Sequence, residues 1–155
     1  MSRKNYATKE EATRAMLDRA RRYCAMSEQC ESGVRQKLIA WGATPDEVDP
    51  IVERLRAEAY LDDERYARTY CESKILQQHW GRQKVLYQLR LKRLPKETID
   101  ACLTVVDDET YYGILRDTAA RKREELGETP DTDRRLLSFL ATRGFTMNEI
   151  NKAIN

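Results

Sequence analysis

The chain has 155 residues, a formal net charge of +2 and a mean hydropathy of −0.77, and 35% of its residues are charged. This length suits one domain or a short array of small repeats. There is no apolar run long enough to span a membrane and no signal-peptide core, so we expect a cytoplasmic protein without a membrane partner. The four cysteines form no CxxC motif and His79 is the only histidine, so the sequence predicts reduced thiols, no metal site and no cofactor.

Apolar residues follow a helical period along the whole chain, and no segment alternates like a strand over more than a few residues. In chain order, the predicted helices cover about 9–26, 31–41, 45–55, 62–78, 82–92, 95–106, 108–125, 132–143 and 146–154. Gly42 and Gly144 follow two of these helices and are suited to left-handed helix ends. The sequence therefore predicts an all-α fold.

Two positions conflict with ideal helices. Pro50 lies inside the third helix, where it removes a hydrogen bond, so we expect either a kink there or a regular helix that begins only near Asp49. Cys30 stands near the N-cap of the second helix, where a serine would accept a backbone hydrogen bond better. Asp62 and Thr146, in contrast, are favourable N-caps for their helices.

The apolar pattern repeats at a fixed offset of 51 positions. Its members are Val34, Leu38, Gly42, Val48 and Val52, then Val85, Leu89, Arg93, Ile99 and Leu103, then Leu136, Leu140, Gly144, Ile150 and Ile154. A shared offset indicates one supersecondary unit used three times. We expect three tandem three-helix repeats in an elongated, curved helical array. Residues 1–8 are predicted to form an N-terminal tail, 9–60 repeat 1, 61–106 repeat 2 and 107–155 repeat 3.

Charge is distributed unevenly. The stretch from Ser73 to Lys96 contains no acidic residue and carries seven cations: Lys74, Arg82, Lys84, Arg90, Lys92, Arg93 and Lys96. On a helical wheel of the fifth predicted helix, Val85 and Leu89 face inward. The outward positions are then Lys84, Tyr87, Arg90 and Leu91.

Cations beside an exposed aromatic ring suit a phosphate backbone with stacked bases, and they equally suit an acidic protein groove. The alternative is an ordinary solvated helix face. Seven cations without a nearby acid favour a binding role, because ordinary helix faces mix the two signs. The predicted partner- or nucleic-acid-binding residues are Arg82, Lys84, Tyr87, Arg90, Lys92, Arg93 and Lys96.

The acidic run Asp62-Asp63-Glu64 has two interpretations. It is either a metal or catalytic carboxylate cluster, or a helix cap with dipole-stabilising charges, and the absence of further ligands at suitable spacing favours the cap. Trp41 and Trp80 are expected to pack in the core or between neighbouring units. The chain also has no phosphate-binding glycine loop, nucleophile elbow or HExxH motif, so we predict that it is not an enzyme.

Four segments together resemble the RecX family of regulators of RecA recombinase. They are Tyr60-Leu61-Asp62-Asp63-Glu64-Arg65-Tyr66-Ala67, Trp80-Gly81-Arg82, the Val85…Leu89 and Lys92-Arg93 pattern, and Arg143-Gly144-Phe145 with Ile150. The resemblance covers about 15–154. Its motif residues are Tyr60, Leu61, Asp62, Asp63, Tyr66, Trp80 and Gly81. The chain departs from the family at Arg93, usually glycine, at Cys30, often serine, and at Gly33, usually a helix former.

The resemblance implies three tandem three-helix repeats and a non-enzymatic monomer that binds in the groove of the RecA filament on single-stranded DNA. Contact with the DNA would be direct or through the filament. It further implies block of ATP hydrolysis, strand exchange and coprotease activity, with loss of the filament. The alternative is a helix-turn-helix-like module that binds duplex DNA independently of RecA. A near-neutral net charge argues mildly against that alternative.

Overall fold

The computed structural model describes residues 8–154, so the predicted tail, apart from Thr8, and the terminal Asn155 lie outside the described residues. In chain order the helices are α1 (Lys9–Met26), α2 (Glu31–Ala40), α3 (Pro45–Ala57), α4 (Asp63–Glu72), α5 (Arg82–Leu91), α6 (Lys96–Cys102), α7 (Asp108–Leu126), α8 (Thr132–Thr142) and α9 (Met147–Ile154). A π-helical turn, Ser73–Gln77, continues α4. Residues 8–154 contain no strand, and the all-α prediction is confirmed. Within the same range, no helix combines the length and the apolar character needed to cross a bilayer.

The chain divides into two compact units. One contains the described residues up to Tyr66 together with Lys92–Leu94, and the other contains Ala67–Leu91 and the residues from Pro95 onward. The three predicted repeat boundaries stay a prediction.

The core of the first unit forms where α1, α2 and α3 meet. Its buried side chains are Met16, Ala20, Cys24, Val34, Leu38, Ala43, Val48, Ile51, Val52, Leu55 and Leu61. Trp41 is half-buried and packs against this core, with its ring 5.6 Å from that of Tyr23 in an edge-on arrangement. The four cysteines, Cys24, Cys30, Cys71 and Cys102, are buried and free.

The second unit buries the corresponding positions of the repeat. Val85, Leu89, Leu136, Leu140 and Ile150 are all buried. At the last position of the repeat, burial decreases along the chain: Val52 is fully buried, whereas Ile154 is 40% exposed. The apolar repeat therefore predicts the core well except at its C-terminal end.

Pro50 does not delay α3. The helix begins at Pro45, with Thr44 as its N-cap, and it runs to Ala57 with Pro50 inside it. The expectation that the regular helix begins near Asp49 is wrong. Both Pro50 and Asp46, whose carbonyl loses its helical partner, are exposed, so water can satisfy that carbonyl.

Two other predicted helix ends also need correction. The fourth helix does not continue regularly to Gln78, because its last turn widens into the π-helical turn Ser73–Gln77. The sixth helix ends at Cys102 rather than near Val106, since a turn is needed to bring Asp107 to the N-cap of α7. Asp107 then accepts a hydrogen bond from the Thr110 amide at 2.7 Å.

The three residues that follow α2, α5 and α8 all have left-handed backbones. Gly42, Arg93 and Gly144 have φ values of 98°, 58° and 102°, and they occupy the same position of the 51-residue repeat. Arg93 therefore adopts a conformation that costs a non-glycine residue roughly 1–2 kcal/mol. The cap of α9 is conventional, because Thr146 and Glu149 exchange hydrogen bonds of 2.8 and 3.2 Å.

Candidate functional site

Helix α5 presents an exposed face of mixed cationic and apolar character. Val85 and Leu89 are fully buried, whereas Tyr87 is 59% and Leu91 60% exposed. Arg90 is exposed and Lys84 is half-buried. The predicted inward and outward phasing is confirmed. We call Lys84, Tyr87, Arg90 and Leu91 the α5 face.

The start of α5 is anchored on the end of α8 through two glycines. The Gly81 amide donates to the Arg143 carbonyl at 2.8 Å, and the Gln83 amide donates to the Gly144 carbonyl at 3.1 Å. A Cβ added to Gly81 would lie closer than 3.0 Å to backbone atoms of Gly144 and Phe145. Only glycine allows this approach, which explains the glycine of the Trp80-Gly81-Arg82 motif.

Arg82 is held by packing within the second unit. Its guanidinium carbon lies 4.0 Å from the centre of the Tyr111 ring, and Nη2 donates to the Val106 carbonyl and to Asp108 Oδ1, each at 3.0 Å. The Arg82 amide also donates to the Tyr111 hydroxyl at 2.9 Å. Burial raises the pKa of Tyr111, so its hydroxyl stays neutral. The structure thus gives Arg82 a positioning role at the start of α5.

Trp80 is surrounded by cations. Lys84 Nζ lies 4.3 Å and Lys74 Nζ 4.8 Å from the centre of its ring, and the Tyr70 ring packs edge-on at 6.4 Å. The Trp80 amide donates to the Lys74 carbonyl at 2.9 Å, and His79 has a left-handed backbone with φ 58°. The π-helical turn therefore brings Lys74 back to the indole. Lys74 and Tyr70 are not among the predicted binding residues, although Lys74 lies in the acid-free stretch.

The remaining predicted cations have separate environments. Lys92 belongs to the first unit, where its Nζ lies 5.9 Å from the centre of the Tyr66 ring and its carbonyl accepts from Ser32 Oγ at 2.6 Å. Arg93 belongs to the same unit and is exposed. Lys96, in the second unit, forms an exposed ion pair with Asp100 at 3.7 Å. Of the predicted binding residues, only Lys84, Tyr87 and Arg90 share the α5 face.

The acidic run acts as a double helix cap. Asp62 Oδ1 accepts from the Arg65 amide at 3.1 Å at the start of α4, as predicted. Asp63 Oδ1 accepts from the Glu31 amide at 3.0 Å, and so caps α2, where Cys30 makes no side-chain cap. Burial raises the pKa of Asp63. Among residues 8–154 no group of three or more acidic, histidine or cysteine side chains is placed to hold a metal ion.

The three other motif residues before α5 pack in the first unit. Leu61 is buried, Tyr60 is half-buried against the core, and burial raises the pKa of Tyr66 to about 12.

Residues 62–103 match the family model described as the second three-helix domain of RecX. "Regulatory protein RecX" of Halorhodospira halophila is 29% identical over 145 residues, which cover 92% of this chain and 88% of that protein. The protein of that name from Cronobacter sakazakii is 29% identical over 146 residues, covering 87% of each chain. These matches support a RecX family protein. These RecX proteins are named as regulatory proteins and not as enzymes.

Solved RecX structures have the same fold. The crystal structure of RecX from Lactobacillus salivarius superposes with a TM-score of 0.83 at 17% identity, covering 94% of this chain and 96% of that one. A second crystal structure of regulatory protein RecX gives a TM-score of 0.79 at 21% identity, covering 97% and 79%. The RecX domain match includes Trp80, Gly81 and the whole α5 face, whereas Tyr60 and Leu61 lie just before it.

Proposed function

We propose that this protein binds the filament that RecA forms on single-stranded DNA and inhibits its ATPase, strand-exchange and coprotease activities, promoting filament disassembly. The observation that carries the proposal is the α5 face. Tyr87 and Leu91 expose more than half of their surface beside two cations, Lys84 and Arg90. Neither cation has an acidic ion-pair partner within residues 8–154.

Such a face suits a partner that is acidic and partly apolar. The ring and the leucine supply contact area that excludes water, and the cations supply attraction and orientation. Repeated contacts with neighbouring filament subunits add through effective concentration. Bridged subunits would be held in a state unfit for ATP turnover and would leave no room for a second DNA strand. The proposal places the protein in the cytoplasm, as a monomeric regulator of homologous recombination and DNA repair that needs no cofactor.

The test is RecA ATP hydrolysis on single-stranded DNA, titrated with this protein at well below one copy per recombinase. We expect strong inhibition by the native sequence. Lys84→Glu combined with Arg90→Glu should abolish the inhibition while circular dichroism and the melting temperature stay unchanged, because both side chains lie outside the core.

A matched control reverses two exposed cations of α7, Arg116→Glu with Arg121→Glu, which also have no ion-pair partner among the described residues. This variant should inhibit normally. A folded α5 double variant that still inhibits would remove the α5 face from the proposal. If the native protein does not inhibit RecA ATP hydrolysis at any ratio of protein to RecA, the alternative hypothesis of a duplex-binding module independent of RecA is favoured. Its DNA affinity should then fall steeply with salt.

A further inference from the structure

We infer that Lys74, Trp80 and Lys84 form a phosphodiester-binding site for a single strand of nucleic acid. This inference rests on the proposed function for its biological setting. It deepens that function by stating that this part of the molecule contacts the DNA strand of the nucleoprotein filament. We call these three residues the Trp80 site. It lies entirely within the second unit.

The Trp80 site is built by backbone contacts before any ligand arrives. The Gln78 amide donates to the Ser73 carbonyl at 3.2 Å, which closes the π-helical turn, and the Trp80 amide returns to the Lys74 carbonyl at 2.9 Å. The Arg143 guanidinium donates to the carbonyls of Gln78 and His79. π-helical turns are rare and occur frequently at functional sites. A site held in this way loses little conformational entropy when a ligand binds.

The two ammonium groups of the Trp80 site carry uncompensated charge. Lys74 Nζ and Lys84 Nζ both lie within 5 Å of one ring centre, so they are at most about 9 Å apart, which is comparable to the Debye length at physiological salt. Neither has an acidic ion-pair partner among residues 8–154. Lys122 offers a contrast, since it lies 4.7 Å from the Phe139 ring centre but also pairs with Glu125 at 3.2 Å. An indole attracts cations without neutralising them, so the positive charges of the two lysines remain available to an anion.

Aromatic residues continue from this site along α5. Tyr87 lies on the α5 face, one helical turn beyond Lys84, and it is the most exposed ring near the site. Cations that follow a backbone, alternating with rings on which bases stack, are the usual means of binding single strands without sequence preference. A protein carboxylate would use the lysines but would not need the exposed ring. A phosphodiester strand is therefore the ligand that the arrangement fits best.

The experiment measures binding of a fluorescent oligothymidylate of about 20 nucleotides, longer than the ~4–16 nucleotides that a single-strand-binding fold covers, without any recombinase. Anisotropy gives the affinity over a range of salt concentrations, and the change in tryptophan fluorescence on binding should disappear in Trp80→Phe. Each of Lys74→Gln and Lys84→Gln should make the negative slope of log affinity against log salt less steep by about 0.7, and the double variant should make it less steep by about 1.4. Lys152→Gln, which removes an exposed cation of α9, should leave the slope unchanged.

The outcomes separate the inference from the proposed function. Native protein that binds the strand with a slope unaffected by both glutamines would overturn the inference. So would folded native protein that binds no DNA yet inhibits RecA through Lys84, since the lysines would then meet a protein carboxylate and the proposed function would stand. DNA binding with the expected slopes but without inhibition of RecA would support the Trp80 site and refute the proposed function. Melting temperatures of all variants check that each is folded.

Discussion

Replacing Gly81 with alanine tests the backbone contact that holds the start of α5. The added Cβ would lie closer than 3.0 Å to the carbonyl of Gly144 and the amide nitrogen of Phe145. These are backbone atoms and cannot rotate away, so the two helix ends must separate by roughly 1 Å to restore ordinary contact. The hydrogen bonds of 2.8 Å from Gly81 and 3.1 Å from Gln83 would then be weakened or lost.

The loss of stability in Gly81→Ala has two sources, overpacking by the added Cβ and the loss of two hydrogen bonds. Overpacking costs about 1–3 kcal/mol, and each lost hydrogen bond costs about 0.5–1.5 kcal/mol. The free energy of unfolding should therefore fall by roughly 2–6 kcal/mol. For a chain of this size each kcal/mol lowers the melting temperature by about 2–4 °C, so we expect a decrease of roughly 5–20 °C.

Thermal unfolding followed by circular dichroism measures this decrease, and Gly113→Ala is the matched control. Gly113 lies inside α7 and has nothing within 4 Å of an added Cβ, so alanine should raise stability by about 0.8–1 kcal/mol through its higher helix propensity. If Gly113→Ala behaves as expected and Gly81→Ala melts like the native protein, the close approach of Gly81 to Gly144 does not exist.

Two further predictions concern the core and the acid stability. Leu89→Ala, at a fully buried position, should lower the free energy of unfolding by about 2–5 kcal/mol. Leu91→Ala, on the exposed face, should change it by less than about 0.5 kcal/mol. Equal urea midpoints for the two variants would contradict the inward and outward phasing of α5. Hydrogen bonds from Arg21, then from Arg54, lower the pKa of Glu58 from 4.5 to about 2, so this carboxylate stabilises the fold above pH 4.5 and the contribution is lost as the pH falls toward 2. Melting temperatures of Glu58→Gln should therefore fall less steeply over that pH range than those of the native protein, and parallel profiles would rule out the effect.

The local sequence pattern was sufficient to place the helices, apart from the ends of α4 and α6, and to identify their buried faces. A helical period places Val85 and Leu89 inside and Tyr87 outside, because burial of one stripe is decided by neighbours three and four positions apart. The 51-residue repeat likewise pairs Arg93 with Gly42 and Gly144, and all three have left-handed backbones. These features depend on residues close in sequence or on the repeat itself, so the sequence alone determined them.

The roles of individual charges depended on residues far apart in the chain. Asp63 caps a helix that begins 32 positions before it, and the Arg82 amide binds a tyrosine hydroxyl 29 positions after it. Lys74 reaches Trp80 only because the end of α4 widens into a π-helical turn, which no local propensity indicates. A charge that lies in a basic run has the same sequence signature whether it faces solvent, caps a helix or covers a ring. Only the tertiary structure decided among these, because the partner of each charge is brought to it by folding.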